Sequence, residues 1–172
     1  QTEEIARQLG ELGFSIITGG GPGVMEAANK GALEAGSKSI GLNIELSGGQ
    51  AGNTYTSKSI TFSHFFVRKV MLVKYATAFV IMPGGLGTLD ELTEILTLIQ
   101  THKIKPFPVM LFGSAYWQEF LDWLRSCVLA SGFVSEEDLN MVRVCDDPAE
   151  VIDIVQNWCI EHRIVGRKAL TG

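Results

Sequence analysis

The segment Ala78–Leu92, AFVIMPGGLGTLDEL, passes from a wholly apolar run through a glycine-rich turn into a helix-forming stretch. Ala78–Met82 carries no polar side chain, and neither does the later run Val109–Phe112. Strands that are apolar on both faces are typical of parallel sheets covered by helices on both faces. The pattern therefore predicts an α/β fold.

Strand and helix signals alternate along the 172 residues, which predicts a doubly wound, mostly parallel, Rossmann-like sheet with helices on both faces. We interpret residues 1–172 as a single nucleotide-binding domain. The predicted strands are Phe14–Thr18, Ser39–Ile44, Ser59–Phe62, Ala78–Met82, Val109–Phe112 and Met141–Cys145. Such sheets normally have a strand before their first helix, so we predict that this N-terminal strand and its loop are missing from the sequence.

The predicted helices have recognisable ends. They run from an N-cap at Thr2 to Gly10 and Gly13, from about Val24 to Ala35, from a cap at Ser63 to about Tyr75, from Thr88 to Gln100, from about Ala115 to Leu129, and from Pro148 to about His162. The segment Glu45–Thr56 is rich in Gly, Ser and Asn and is predicted to be a loop.

Composition excludes several function classes. The net charge is -5 and the basic residues do not cluster, which argues against a nucleic-acid partner. No apolar run approaches the roughly 20 residues of a membrane helix, so no membrane association is expected. The three cysteines, Cys127, Cys145 and Cys159, form no C-x-x-C pair. They predict neither a disulfide framework nor a zinc site, and they favour a cytoplasmic location.

Two glycine loops each follow a predicted strand and precede a predicted helix, at Gly19–Gly23 and Gly84–Gly87. Backbone N–H groups and the helix dipole can hold a phosphate at such a position. Neither loop is a Walker A motif, and neither completes the dinucleotide fingerprint, because Val24 and Asp90 occupy the third glycine position. The loops predict an anion site without identifying the nucleotide.

Thr88 and Glu91 admit two interpretations. Thr-x-x-Glu is a capping box, in which Thr88 caps the helix and Glu91 reaches back. Alternatively, the acids Asp90, Glu91 and Glu94, in the first two turns of the predicted helix, point towards a cleft at the glycine loop. The predicted buried face of this helix consists of Leu89, Leu92, Ile95, Leu96 and Ile99.

The predicted helix that follows Ser63 is apolar on almost all sides, so we expect it to be buried on most sides. Arg68 shares a stripe of this helix with Phe65, Leu72 and Tyr75. A charge there needs an ion-pair partner, a route for its head group to water, or a phosphate or carboxylate ligand. Symmetric dimerisation is a common way to cover such a helix.

Three motifs in order resemble the Lonely Guy (LOG) family. Pro83–Glu91 matches its P-G-G-x-G-T-x-x-E motif, Arg68–Lys69 resembles its Arg-Lys pair 23 residues before Glu91, and Gly19–Glu26 matches its first glycine segment. The resemblance extends from about Gly13 to Phe112. Phe65–Lys69 is similar to the longer bacterial branch, although Glu45–Gln50 lacks the Leu-Pro-x-Glu-Gln run of that branch.

The resemblance implies a nucleoside 5′-monophosphate phosphoribohydrolase that forms dimers or larger assemblies. Such enzymes cut the N-glycosidic bond of AMP or of a cytokinin riboside 5′-monophosphate, giving the free base and ribose 5-phosphate, and the resemblance implies no cofactor. An older family label is lysine decarboxylase, but no pyridoxal-phosphate lysine is identifiable. By resemblance, Glu91 and Arg68 are the catalytic residues.

The remaining site residues are assigned by their position in the motifs. Those predicted to bind phosphate or substrate are Gly20, Gly21, Glu26, Lys69, Gly84, Gly85, Gly87 and Thr88. For Glu26, an equally good interpretation is a favourable charge at a helix N-terminus. For Lys69, the alternative to a phosphate partner is an ordinary surface lysine. No metal site is predicted, because His64, His102 and His162 are isolated.

Two other functions share these features. A molybdenum-cofactor carrier has the same fold and similar glycine loops, but a carrier does not require both Arg68 and Glu91. A dinucleotide-binding domain would use Glu45 as its ribose ligand, but the glycine fingerprints are incomplete.

Overall fold

The computed structural model describes residues 1–45 and 52–164. The chain forms two compact units: the first comprises Gln1–Ala76 and the described C-terminal residues from Cys159, and the second comprises Thr77–Trp158. The single domain over residues 1–172 stays a prediction. The segment Glu45–Gln50, which departs from the family pattern, lies outside the described residues except for Glu45. Part of the predicted loop Glu45–Thr56 lies outside them as well.

The first unit contains three strands and three helices before Ala76 in its described part. They are α1 (Thr2–Glu11), β1 (Ile16–Thr18), α2 (Val24–Glu34), β2 (Ser39–Ile44), β3 (Lys58–Phe62) and α3 (Phe65–Lys74). The sheet order is β1-β2-β3 and both pairings are parallel. Ile17 lies opposite Ile40, and Leu42 lies opposite Ile60.

The second unit contains a sheet of order β4-β5-β6, also parallel. Its elements are β4 (Phe79–Ile81), α4 (Leu86–Gln100), β5 (Val109–Phe112), α5 (Ser114–Trp123) with a π-helical continuation (Leu124–Leu129), α6 (Glu136–Leu139) and β6 (Val142–Cys145). Helix α7 (Pro148–Glu161) follows, and its residues from Cys159 belong to the first unit. All four residues of β5 are buried, as the apolar run predicts. The α/β class with parallel strands is therefore confirmed.

Close packing of α1 on α2 depends on two glycines. A Cβ on Gly31 would lie 2.1 Å from the carbonyl oxygen of Glu3, and one on Gly10 would lie 2.7 Å from the Cβ of Ala35. Gly10 therefore permits helix packing and does not end α1 as predicted. Gly13, with φ of 92°, makes the turn that follows the helix, as expected.

The predicted caps at Thr2 and Ser63 are wrong. Thr2 is already the first residue of α1, after Gln1, and α3 starts after His64. The N-cap of α3 is His64, whose backbone is extended, and the Ser63 hydroxyl donates to the carboxylate of Glu45 at 3.3 Å. Pro148 does begin α7, as predicted.

Helix α3 is not buried within the chain, contrary to the sequence-based expectation. None of its residues is buried. Its exposed apolar residues are Phe65, Phe66, Val67 and Val70, with Tyr75 directly after the helix. The apolar composition is thus not explained by packing among the residues that the structure describes.

Among the same described residues, no helix is both long enough and apolar enough to cross a membrane.

Candidate functional site

The first glycine loop joins β1 to α2 through a left-handed backbone. Gly20 has φ of 73° and Gly23 has φ of 71°, values that favour glycine. A Cβ on Gly20 would lie 2.2 Å from Oδ1 of Asn43, near the carboxyl end of β2. Glycine at position 20 is therefore required both by the backbone conformation and by the close approach of Asn43.

Arg68 lies beside this loop. Its Nη1 atom is 3.6 Å from the position that a Cβ of Gly19 would take, and its guanidinium carbon is 5.2 Å from the centre of the Phe65 ring. The Nε atom of Arg68 is buried. Helix α3 thus brings the predicted catalytic arginine to the first predicted binding loop, within one unit.

Two further charged residues, Glu26 and Lys69, are predicted to bind the substrate near the first glycine loop. Glu26 lies in the first turn of α2, where a carboxylate is favourable at a helix N-terminus. Lys69 follows Arg68 on α3 and is half-buried. Their contacts with a substrate stay predictions.

A buried polar network supports the first loop, and the motif analysis did not find it. Asn29 of α2 is completely buried, with 0% of its surface exposed. Its Oδ1 accepts from the Thr18 hydroxyl at 2.7 Å and from the Asn53 amide at 2.9 Å, and its Nδ2 donates to the Ser39 hydroxyl at 2.8 Å. In the sequence, this network is indicated only by an asparagine in the helix that follows the glycine loop, which is a weak signal.

The second glycine loop leads into α4 two residues earlier than predicted. The helix starts at Leu86 and Gly85 is its N-cap. Thr88 therefore lies within the first turn, and its own N–H donates to the Gly85 carbonyl at 3.0 Å. The capping-box interpretation of Thr88 and Glu91 is wrong, because Thr88 is not at the capping position.

The N-terminus of α4 is open and free of acidic residues in its first turn. A Cβ on Gly85 or Gly87 would meet no atom within 4 Å, and Leu86 is 85% exposed. Helix geometry leaves the first N–H groups without intrahelical acceptors, and here they carry the positive end of the helix dipole. This arrangement suits an anion that approaches the backbone closely.

Gly84 has a different role from its neighbours. A Cβ there would lie 2.2 Å from Oγ1 of Thr88, so glycine allows the threonine hydroxyl to lie against the loop. The Tyr116 hydroxyl of α5 donates to the Gly84 carbonyl at 2.5 Å. Tyr116 thus fixes the loop from a second element, and because it is 32 residues away in the chain no local pattern indicated it.

The position of α5 itself depends on the end of β6. The N–H of Gly113 donates to the Cys145 carbonyl at 2.8 Å, and the N–H of Ser114 donates to Oδ1 of Asp146 at 2.7 Å. The hydrogen bond from the Ser114 backbone holds the pKa of the Asp146 carboxyl below its ordinary value. A charged Asp146 therefore stabilises the start of the helix that carries Tyr116.

The acids of α4 lie in its second and third turns, not in the first two, because the helix starts earlier. Glu91 is half-buried. An open groove of about 230 Å³ on α4 is lined by Asp90, Thr93, Glu94, Thr97 and Leu98 but not by Glu91. The predicted buried face is confirmed for Leu92, Ile95 and Ile99, while Leu89 and Leu96 are half-buried.

The predicted site residues thus fall into two groups. The first unit brings together Gly20, Gly21 and Arg68, and the second brings together Gly84, Gly85, Gly87, Thr88 and Glu91 on one loop and its helix. No group of three His, Cys, Asp or Glu side chains that could hold a metal ion occurs among the residues that the structure describes.

Comparison with known proteins identifies the family. A family model described as "Possible lysine decarboxylase" matches residues 25–155, which is more than half of the chain. The chain belongs to the LOG family. It is 25% identical over 168 residues to the cytokinin riboside 5′-monophosphate phosphoribohydrolase LOG of Oryza sativa subsp. japonica, covering 94% of this chain and 67% of that protein.

A second relative and a solved structure are also similar to this chain. The chain is 26% identical over 173 residues to cytokinin riboside 5′-monophosphate phosphoribohydrolase LOG1 of Arabidopsis thaliana, covering 96% of this chain and 78% of that protein. Its fold is also similar to the solved structure of the Moco carrier protein from Chlamydomonas reinhardtii, with a TM-score of 0.67, 25% identity and coverage of 93% and 86%. Membership of the LOG family therefore favours a hydrolase, while the carrier shares the fold.

Proposed function

We propose that the chain is a nucleoside 5′-monophosphate phosphoribohydrolase. Its substrate would be AMP or a cytokinin riboside 5′-monophosphate, and its products the free base and ribose 5-phosphate. The observation that supports this most is the N-terminus of α4 in a chain of the LOG family. There the glycines are not covered by other atoms, Thr88 supplies a hydroxyl, and the first turn has no acidic residue. The relatives' printed activity supplies the reaction class.

In this proposal the second glycine loop binds the 5′-phosphate. The N–H groups of Leu86 and Gly87 point out of the helix end, and Thr88 adds a hydroxyl donor. Gly85 and Gly87 allow the phosphate oxygens to reach the backbone because no side chain covers it. Hydrogen bonds to a charged group contribute about 1.5–3 kcal/mol each, so two or three of them are enough to select a phosphorylated nucleoside.

The glycosidic step would use Glu91. Cleavage of the C1′–N bond transfers its electron pair to the base, leaves a cation-like ribose, and ends when water oxygen bonds to C1′. A carboxylate about 4 Å from that cation attracts it by about 4 kcal/mol at an effective dielectric constant near 20. If the attraction acts only in the transition state, it accelerates the step roughly a thousandfold. Glu91 would also orient the attacking water or accept its proton, and that proton ends on the nitrogen of the departing base, so that one water molecule supplies both the hydroxyl on C1′ and the hydrogen on the base.

Arg68 would assist without transferring a proton. A guanidinium group does not release a proton in proteins, so an arginine binds and orients through its N–H donors and does not act as a general acid. The contact of Arg68 with the ribose, the phosphate or the departing base is proposed from the family's Arg-Lys motif. Within its own unit Arg68 lies beside Gly19 and Phe65. Gly20, Gly21, Glu26 and Lys69 complete the proposed binding residues. The reaction consumes only water, so we propose no cofactor.

A non-catalytic carrier is the second candidate, and similarity to the Moco carrier protein of Chlamydomonas reinhardtii favours it. Both candidates require an anion-binding loop. They differ in the need for Glu91, because a carrier does not have to stabilise a cation-like ribose.

The test is release of free base from AMP and from a prenylated AMP, measured by chromatography. We expect Glu91→Gln to lower kcat about a thousandfold, since the amide keeps the size of the side chain but removes its charge. Glu94→Gln, one turn further along α4, is the matched control and should keep activity within about twofold of the wild type. We expect Arg68→Ala to lose most activity as well. A carrier is indicated if the wild type binds AMP or a pterin without releasing base.

We further propose that the protein forms a homodimer through α3. Phe66 is 67% exposed and Val70 is 57% exposed within the chain. Two helices of this kind cover each other when they pack about a twofold axis, which removes both apolar surfaces from water.

A further inference from the structure

We propose that Asn29 is a positioning residue that sets the conformation of the first glycine loop, and through it the affinity for the nucleotide. The proposal rests on the proposed function in one respect, namely that Gly20 and Gly21 contact the substrate. The hydrogen bonds of the Asn29 side chain to described residues go to Thr18, Asn53 and Ser39. Asn29 acts through two arms, Thr18 and Asn53, both of which bond directly to the loop.

The first arm follows from the direction of the hydrogen bonds. The Thr18 hydroxyl donates its hydrogen to Oδ1 of Asn29 at 2.7 Å. Its lone pairs are then left to accept the N–H of Gly20, at 3.0 Å. The bond to Asn29 therefore turns the hydroxyl hydrogen of Thr18 away from the N–H of Gly20, which meets a lone pair instead.

The second arm holds the loop by its carbonyl groups. Nδ2 of Asn53 donates both to Oδ1 of Asn29, at 2.9 Å, and to the Gly21 carbonyl, at 3.0 Å. The Asn53 backbone N–H donates to the Gly20 carbonyl at 2.8 Å. Oδ1 of Asn53 accepts the N–H of Tyr55 at 3.0 Å, which fixes Asn53 in turn.

The opposite end of Asn29 is anchored in the sheet. Its Nδ2 donates to the hydroxyl of Ser39, a residue of β2 that is itself fully buried. The Ser39 hydroxyl is within hydrogen-bond distance of the carbonyls of Asn29 and Tyr55, at 3.0 and 2.7 Å. If the amide of Asn29 flipped, its Nδ2 would face Nδ2 of Asn53, which would place two donors together in a buried site.

The network therefore fixes the loop by hydrogen bonds within the protein. The N–H and carbonyl of Gly20 and the carbonyl of Gly21 all bond to protein groups, at a loop where Gly20 has φ of 73°. A preformed loop binds its ligand with a smaller loss of conformational entropy than a mobile one. Weakening the arms should consequently reduce affinity more than turnover.

The experiment changes the arms and leaves Asn29 intact, because truncation of a completely buried amide would combine loss of positioning with loss of folding. Thr18→Val removes the hydroxyl at constant size, Thr18→Ser restores it, and Asn53→Ala removes the second arm. Ser37→Ala is the matched control, since Ser37 in the same unit donates to the Phe14 carbonyl and does not contact the loop. The measurements are KM and kcat for AMP, Kd for AMP by calorimetry, and the melting temperature.

We expect Thr18→Val and Asn53→Ala to raise KM and Kd about tenfold with kcat within about twofold, as a loss of one or two hydrogen bonds predicts. Thr18→Ser and Ser37→Ala should keep the wild-type KM. If the wild type is active and KM is unchanged in both arm variants, the positioning role is refuted and the proposed function stands. If the wild type binds AMP without releasing base and Kd still rises tenfold, positioning stands and the hydrolase is refuted. Absence of AMP binding by the wild type refutes both.

Discussion

At the scale of single residues, the glycines of the second loop have separable roles. Gly84 makes room for Thr88 within the protein, because a Cβ there would lie 2.2 Å from the threonine hydroxyl. Gly85 and Gly87 face open space. Because Gly85 and Gly87 have no side chains, a ligand can reach their backbone from solvent, which supports a ligand site at this end of the helix.

This difference predicts opposite effects on stability from two alanine substitutions. Gly84→Ala should lower the free energy of unfolding by about 1–3 kcal/mol, because the new Cβ overlaps Thr88. Gly87→Ala should leave it unchanged or raise it by up to about 1 kcal/mol, since alanine favours the helix. Both should weaken AMP binding, Gly87→Ala by obstructing the phosphate. Urea denaturation and calorimetric titration measure the two quantities, and tight AMP binding by Gly87→Ala would contradict a phosphate at this backbone.

Sequence reasoning located the residues that belong to short motifs and missed those that act across the fold. The two glycine loops, and the arginine on the helix after β3, follow from local patterns and from the resemblance. Asn29, Asn53 and Tyr116 do not, because each bonds to a partner that only the tertiary structure brings near. A buried asparagine and an ordinary one are identical in sequence until their neighbours are known.

At the scale of elements, the order of strands and helices was predictable and several helix starts were not. The continuous apolar run Val109–Phe112 indicated the fully buried β5, because parallel strands are covered on both faces, whereas in β4 only Ile81 is buried. Capping signals were less informative. Thr88, Thr2 and Ser63 are all good capping residues. The N-cap nevertheless lies three residues before Thr88 in α4, one residue before Thr2 in α1 and one residue after Ser63 in α3. The real capping box, Ser135 with Asp138, begins the short α6 that the sequence analysis missed.

The start of α5 gives a prediction about pH. Because the pKa of Asp146 is lowered in the folded protein, its charged form stabilises the fold at all pH values above the ordinary pKa of 3.8, and this contribution is lost as the pH falls through the lower folded pKa. Asp146→Ala should therefore be less stable than the wild type at pH 7, and the difference should shrink at strongly acidic pH. Urea denaturation across pH 2–7 tests this, and a difference that grows on acidification would have the wrong sign.

At the scale of the whole molecule, the exposed apolar helix α3 gives the prediction about assembly. Phe66→Asp or Val70→Asp should convert a dimer into a monomer in light-scattering measurements, because each places a charge in the proposed interface. Phe133→Asp is the matched control: Phe133 is 79% exposed and lies in the other unit, and its replacement should leave the dimer intact. A wild-type monomer at micromolar concentration would contradict the proposal.

The most direct measurement of the central claim is product identification from AMP. We expect the wild-type protein to release adenine and ribose 5-phosphate in equal amounts, with no adenosine and no inorganic phosphate, and to stop doing so in Glu91→Gln. Adenosine and phosphate would instead show cleavage of the phosphate ester. If the protein binds AMP but AMP stays intact after prolonged incubation, the hydrolase proposal is contradicted and the carrier proposal remains.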